Sequence, residues 1–197
     1  MTVGKKKGPK YDQIIDAAVQ VIAEHGYHQA QVSKIAKVAG VADGTIYLYF
    51  NNKEDVLISL FQEKMGRFVD KIRSQMNEAT DVEEKLKILV NMHFKQLAAD
   101  HKLAIVTQLE LRQSNTELRL KINEVLKGYL NLLDELLMEG KEKGYFFQEL
   151  DTRLARQMIF GTLDEVVTNW VMKDCKYDLT ALVKPVHQLL LSGLRHR

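Results

Sequence analysis

The chain has 197 residues, 46% hydrophobic and 27% charged, with a net charge of +2, which is the balance of a soluble globular protein of one large or two modest domains. Its purely apolar runs, such as residues 189–191, are far shorter than the roughly 20 residues that span a bilayer, and the lysines of residues 1–10 are not followed by the apolar segment of a secretion signal. A single cysteine, Cys175, excludes an internal disulfide and suits a reducing cytoplasm, and so small a net charge means that any nucleic-acid partner must be met by a local patch.

Two prolines, Pro9 and Pro185, lie one near each end of the chain. The long stretches between them carry no obligatory helix breaker, which predicts an all-α protein. From Lys10, the positions Ile14, Ala17, Ala18, Val21 and Ile22 recur at helical spacing and predict a first helix that stops near Gly26. A short helix fits residues 32–39, closed by Gly40. After the segment 44–50, a longer helix fits residues 53–77, with Asn52 as its cap. Further helices fit residues 82–99, 101–113 and 116–140, with a break at Ser114 and Asn115. Asp151 can cap a helix to about 172 and Asp178 a last one to about 194. The expected architecture is a small helical head of three helices within residues 1–53 and a larger helical body, residues 54–197, about nine helices in all.

Residues 44–50, GTIYLYF, are rich in strand-forming types. A lone strand in a helical chain would leave its backbone groups unpaired, so the run is read as a short helix. At about 100° per residue, Ile46 and Phe50 share a buried face, Gly44, Thr45 and Leu48 face outward, and Tyr47 and Tyr49 flank the exposed edge. Two short helices around a tight turn, residues 31–50, form a helix-turn-helix whose second helix would enter the major groove. Thr45 offers a hydroxyl and a methyl, the tyrosines reach phosphates, and Gly44 lets backbone approach. Asp43 caps this helix or reads a cytosine amino group, while Ser33, Lys34 and Lys53 stand beside phosphate. The lysines at 5, 6, 7 and 10 belong to a solvated arm or to a second DNA contact.

The run VSKIAKVAGVADGTIYLYFNNKEDVL resembles the TetR family signature, matching it at Ile35, Ala36, Ala39, Gly40, Val41, Gly44, Thr45, Tyr47, Tyr49, Phe50, Lys53, Glu54 and Leu57. Val32, Ala42 and Asp43 depart from it. The resemblance implies a DNA-binding repressor, acting as a homodimer on a palindromic operator, with residues 151–172 and 178–194 forming the interface between subunits. Leu154, Met158, Gly161, Val166, Leu182, Val186, Leu190 and Leu194 supply apolar or small faces that permit it. It also implies an effector pocket in the body, reporting to the head through the helix that begins at Lys53.

The segments IVTQLELRQSNTELRLKINEVLKGYLNLLDELL and ARQMIFGTLDEVVTNWVMKD resemble the Gram-positive fatty-acid-degradation branch of that family. This implies control of fatty-acid-degradation genes and release from DNA by long-chain acyl-CoA. Phe68, Met92, Phe94, Ile105, Leu109, Met158, Phe160 and Trp170 are the candidate apolar lining, though such residues at helical spacing more often build a plain core. Arg112 and Arg119, with Arg153 and Arg156 behind them, are candidate partners for the CoA phosphates. The rival reading within the family is a regulator of efflux or detoxification genes induced by another hydrophobic molecule; outside it, an acyl-CoA carrier that never meets DNA. An enzyme is not expected, because the chain lacks a nucleophile elbow, a phosphate-cradling glycine loop and a paired-cysteine metal site. No metal or cofactor is expected, and no membrane partner.

Overall fold

A computed structural model describes residues 7–195. Among them lie nine α-helices and one turn of 3-10 helix; in place of strands there is one isolated antiparallel bridge, between Phe146 and Arg195. The all-α expectation holds. Lys5 and Lys6 of the basic arm fall outside the described residues, and Lys7 pairs with Glu63 at 2.5 Å.

The head is built by α1 (Pro9–Gln29), α2 (Val32–Ala39) and α3 (Asp43–Ile46). Pro9 stands in the first turn of α1, where its missing N–H costs no helical bond. Gly26 breaks the helical path at φ 71 and ψ 155, at the expected stop, but the chain then makes one more turn to Gln29. Gly40 closes α2 in the left-handed conformation, and Val41 N–H returns to Ala36 C=O at 3.0 Å, so the turn satisfies the helix's last carbonyls. α3 is shorter than expected. Helical geometry ends at Ile46, and residues 47–49 continue as turns, with Leu48 N–H bonded to Thr45 C=O and Tyr49 N–H to Ile46 C=O. Asp43 does not cap it either: Ala42 occupies the cap position without a side-chain bond, and Asp43 lies in the first turn, where its charge favours the helix dipole.

The body comprises α4 (Lys53–Asn77), α5 (Val82–Ala99), α6 (His101–Glu110), α7 (Thr116–Glu142), α8 (Thr152–Met172) and α9 (Val183–Leu194). Asn52, Asp81, Asp100, Asn115 and Asp151 cap α4 to α8 in turn, each side chain accepting from an otherwise orphaned N–H of the first turn. Asp178 caps the 3-10 turn Leu179–Leu182 that leads into α9, so the expected last helix is two elements. α6 ends at Glu110, short of the expected 113, because residues 111–115 form the loop that turns into α7.

Two hydrophobic clusters hold the chain together. One joins α1, α2 and α3 with the first turns of α4 (Val56, Leu57, Leu60, Phe61) and with Val106, Leu118 and Ile122 of α6 and α7. The other runs through α4, α5, α7, α8 and α9 around Phe94, Leu133, Ile159 and Trp170. The head therefore shares its core with the body: α1 packs on α6 as well as on α2, and α4 runs from one cluster into the other.

Candidate DNA-binding head and effector site

On the head, Ile46 and Phe50 are each 1% exposed, and Phe50 stacks on Tyr11 with ring centroids 5.2 Å apart. Burial of two such side chains, about 1.5–3 kcal/mol each, decides the orientation of a helix only four residues long. It leaves Asp43, Gly44, Tyr47 and Leu48 exposed on the outside, with Thr45 half-buried between them. A Cβ on Gly44 would meet nothing within 4 Å, so the fold itself makes no demand for glycine there. The tyrosines are not equivalent. Tyr47 is 58% exposed, whereas Tyr49 is half-buried, its ring tilted against Tyr11 and Phe50. Ser33 and Lys34 are exposed at the start of α2. Lys53 does something further: its ammonium donates to the carbonyls of Tyr27 at 3.0 Å and His28 at 3.1 Å and sits 4.6 Å from the centre of the Tyr27 ring. It thereby ties the start of α4 to the end of α1.

A second tie joins α1 to α6. The backbone N–H of Tyr27 donates to Glu110 Oε1 at 2.8 Å, and Gln113 Nε2 donates to Glu110 Oε2 at 2.5 Å. The break at Gly26 frees that N–H from the helical ladder and aims it at the carboxylate. Burial, with Glu54 and Glu110 adding their charge, pushes the Tyr27 phenol up to about 12, so it stays neutral.

Inside the body, α4 to α8 enclose a cavity with about 30 Å³ of open space, walled by Phe61, Met65, Phe68, Leu97, Leu111, Leu126 and Phe160. Polar groups line one part: His93, Thr107, Gln108, Tyr129 and Asp164. Most are satisfied within the chain. Thr107 donates to Leu103 C=O at 3.0 Å, Gln108 turns its amide nitrogen to Asp164 Oδ1 at 3.0 Å, and Asp164 pairs with Arg112 across the wall. His93 Nδ1 lies 2.8 Å from the Tyr129 hydroxyl, but its buried Nε2 has no partner among the described residues. Burial holds the imidazole down to about 3 and pushes the Tyr129 phenol up, with Asp164 contributing less, so both groups are neutral at physiological pH.

Phe68 also lines a larger cleft of about 660 Å³, open to solvent between α4, α5 and the start of α6. Its rim is basic: Lys64, Arg67, Lys71 and Lys95. Lys64 and Arg67 are engaged by Asp16 at 2.5 Å and Asp12 at 2.7 Å of α1, while Lys71 and Lys95 project exposed.

These features coincide with known families. Residues 14–60 match the family described as bacterial regulatory proteins, tetR family, and residues 61–193 match the YsiA-like protein, C-terminal region. The chain belongs to the tetR family. That is a family of transcriptional regulators, not of enzymes, and its head is a DNA-binding unit. The fatty acid metabolism regulator protein of Bacillus subtilis (strain 168) is 65% identical over 193 residues, covering 98% of this chain and 100% of that protein. The solved structure of the fatty acid degradation regulator FadR from Bacillus halodurans superposes with a TM-score of 0.91 at 98% identity, covering 94% of this chain and 100% of the other. The B. subtilis FadR structure in complex with stearoyl-CoA gives a TM-score of 0.91 at 66% identity with the same coverage.

Of the expected lining residues, Phe68 and Phe160 border the cavity, and Phe68 and Met92 the cleft. The others are placed elsewhere. Phe94 and Trp170 are core, the indole N–H of Trp170 bound to Tyr177 C=O at 2.8 Å; Ile105 packs half-buried against the same cluster. Leu109 and Met158 are 51% and 63% exposed, Met158 on the outer face of α8. Arg119 donates to Gln113 C=O at 2.9 Å and Ser114 C=O at 3.3 Å, closing the loop before α7, and Arg156 pairs with Asp134 at 2.6 Å. Of the named arginines, Arg112 is ion-paired with a cavity-lining side chain, Asp164. The basic rim and the His93–Tyr129 pair escaped the sequence reading. A stripe at 64, 67, 68 and 71 at helical spacing was the available signal for the first; nothing local signalled the second.

Proposed function

We propose that the chain is a cytoplasmic repressor of fatty-acid-degradation genes that binds a palindromic operator as a homodimer and is released by long-chain acyl-CoA. Residues 1–53 serve DNA binding and residues 54–197 serve effector binding and dimerisation. Thr45, Gly44, Tyr47 and Asp43 face the groove, with Ser33, Lys34, Tyr49 and Lys53 toward phosphate. The observation that carries the effector half is the juxtaposition, across Phe68, of an apolar cavity and a basic cleft. An acyl-CoA has the matching polarity: an alkyl chain for the cavity, and phosphates for Lys71, Lys95 and their neighbours. The stearoyl-CoA complex of the 66% identical B. subtilis FadR supports the choice.

Loading must do mechanical work. Ligand pockets hold about 300–1,000 Å³, and the cavity has about 30 Å³ open, so a chain entering it spreads α4 to α8. Two of those helices are tied to the head, α4 through Lys53 and α6 through Glu110. A ligand that prefers the spread body therefore disfavours the head spacing that fits DNA. For the dimer, the support is the apolar outer face of α8 and α9. Leu154, Met158 and Leu189 are 55%, 63% and 73% exposed there, beside Gly161 and Gly193. Val186 and Leu194, named from sequence for that face, are instead buried in the chain's own core.

The test is an operator selected from random duplex DNA by the purified protein, titrated with acyl-CoAs of increasing length and with free CoA. Release by the long acyl-CoAs alone is expected. Release by unrelated dyes or antibiotics but not by acyl-CoA overturns the effector, and failure to select any DNA overturns the repressor.

A further inference from the structure

The geometry points to His93 as the residue that recognises the thioester carbonyl of the effector, donating a hydrogen bond from Nε2–H, with Tyr129 as the positioning residue that fixes the tautomer. The inference rests on the proposal that the effector is a long-chain acyl-CoA.

His93 projects from α5 into the cavity wall with Nδ1 2.8 Å from the Tyr129 hydroxyl of α7. Phe68 and Phe94 pack edge-on against the ring at 5.4 and 5.9 Å. A neutral imidazole has one donor and one acceptor nitrogen. If Nδ1 carried the proton, the phenolic O–H would need an acceptor that no described residue provides, and Nε2 would need a donor. If the phenol donates to Nδ1, a single group is left over, Nε2–H. The second arrangement leaves fewer buried groups unpaired and is assigned on that ground.

The unfilled requirement is thus one acceptor, in a cavity whose other polar groups, Thr107, Gln108 and Asp164, are bonded within the chain. A thioester offers one strong acceptor, its carbonyl oxygen, and no donor. The amides of the pantetheine arm each bring an N–H as well as a carbonyl, whereas the requirement left at Nε2–H is for an acceptor alone. A free carboxylate would bring a buried charge beside Asp164, which lines the same cavity.

The full-length protein is titrated calorimetrically with palmitoyl-CoA and with S-hexadecyl-CoA, the thioether that has a chain of the same length but lacks the carbonyl. The wild type should bind the thioester about tenfold tighter. His93→Phe should bind the two equally, and Tyr129→Phe, which releases the tautomer, should shrink the ratio severalfold. A wild-type ratio near one, or an unchanged ratio in both variants, overturns the assignment. Should His93→Phe not fold, Tyr129→Phe and His93→Gln, which keeps an N–H, make the same comparison. A wild type that binds neither compound overturns the effector reading itself, before any variant is compared.

Discussion

The carboxylate of Glu110, in the last turn of α6, accepts a hydrogen bond from the backbone N–H of Tyr27, 2.8 Å away and just past the break in α1. It is a buried contact between the head and a helix whose next residue, Leu111, lines the cavity. Removing the acceptor leaves a buried N–H unpaired at a cost of about 1–3 kcal/mol. Glu110→Ala should therefore lower stability by that amount in urea unfolding. If α6 transmits the effector signal, the variant should also bind acyl-CoA normally yet need more of it to leave the operator. Unchanged release curves would assign transmission to α4 alone.

Tyr47 and Lys53 separate recognition from architecture. Tyr47 is 58% exposed on the outer edge of the head, so Tyr47→Phe should leave the melting temperature alone and weaken operator binding about fivefold. Lys53→Met removes two bonds to α1 carbonyls as well as a cation. It should lose about 1 kcal/mol of stability and flatten the salt dependence of binding. Equal melting and equal salt slopes for wild type and Lys53→Met would confine the lysine to the surface.

Gly140 and Gly128 lie in the same helix and should respond to alanine with opposite signs. A Cβ at Gly140 would fall inside the Phe146 ring, which packs against the bare α7 backbone there; at Gly128 it would meet nothing within 4 Å. Gly128→Ala should gain about 0.5–1 kcal/mol from helix propensity. Gly140→Ala should lose about 1–3 kcal/mol, because the buried ring has to move. Urea midpoints of the two variants check both signs at once.

What the sequence made legible follows from how local each signal is. Asn52, Asp151 and Asp178 were readable as caps because capping is settled within one turn, and Ile46 and Phe50 as core because a short helix has few ways to bury itself. The effector site was less readable. Trp170 and Phe94 carry the same apolar periodicity as Phe68 and Phe160, and only helix packing decides which of them face a cavity. Lys71 and Lys95 come from different helices and meet at one cleft only after α4 and α5 pack, whereas Arg119 looks like a ligand cation until its loop carbonyls are seen. On α9 the outer face is misjudged similarly: Val186 and Leu194 are buried and Leu189 is exposed, because this helix carries apolar residues on more than one side and only its packing decides which side the body covers.

His93 should make stability fall with acidity in a definite window. Its folded-state value is pushed down to about 3 by burial, against an ordinary 6.5. Between those limits the unfolded chain takes up a proton at this site and the folded protein does not, so acid favours unfolding. The contribution is intact above about pH 6.5 and is lost at about 1.4 kcal/mol per pH unit below it. Carboxylates that titrate in the same range are common to wild type and variant, so the difference between the two isolates the histidine. His93→Gln, which cannot titrate, should show a shallower decline in urea-derived stability between pH 6.5 and 4.5, even if it starts from a lower value at pH 7.5. Parallel declines would mean that the folded ring takes up its proton over the same range as the unfolded one, and would overturn the burial that holds it neutral in acid.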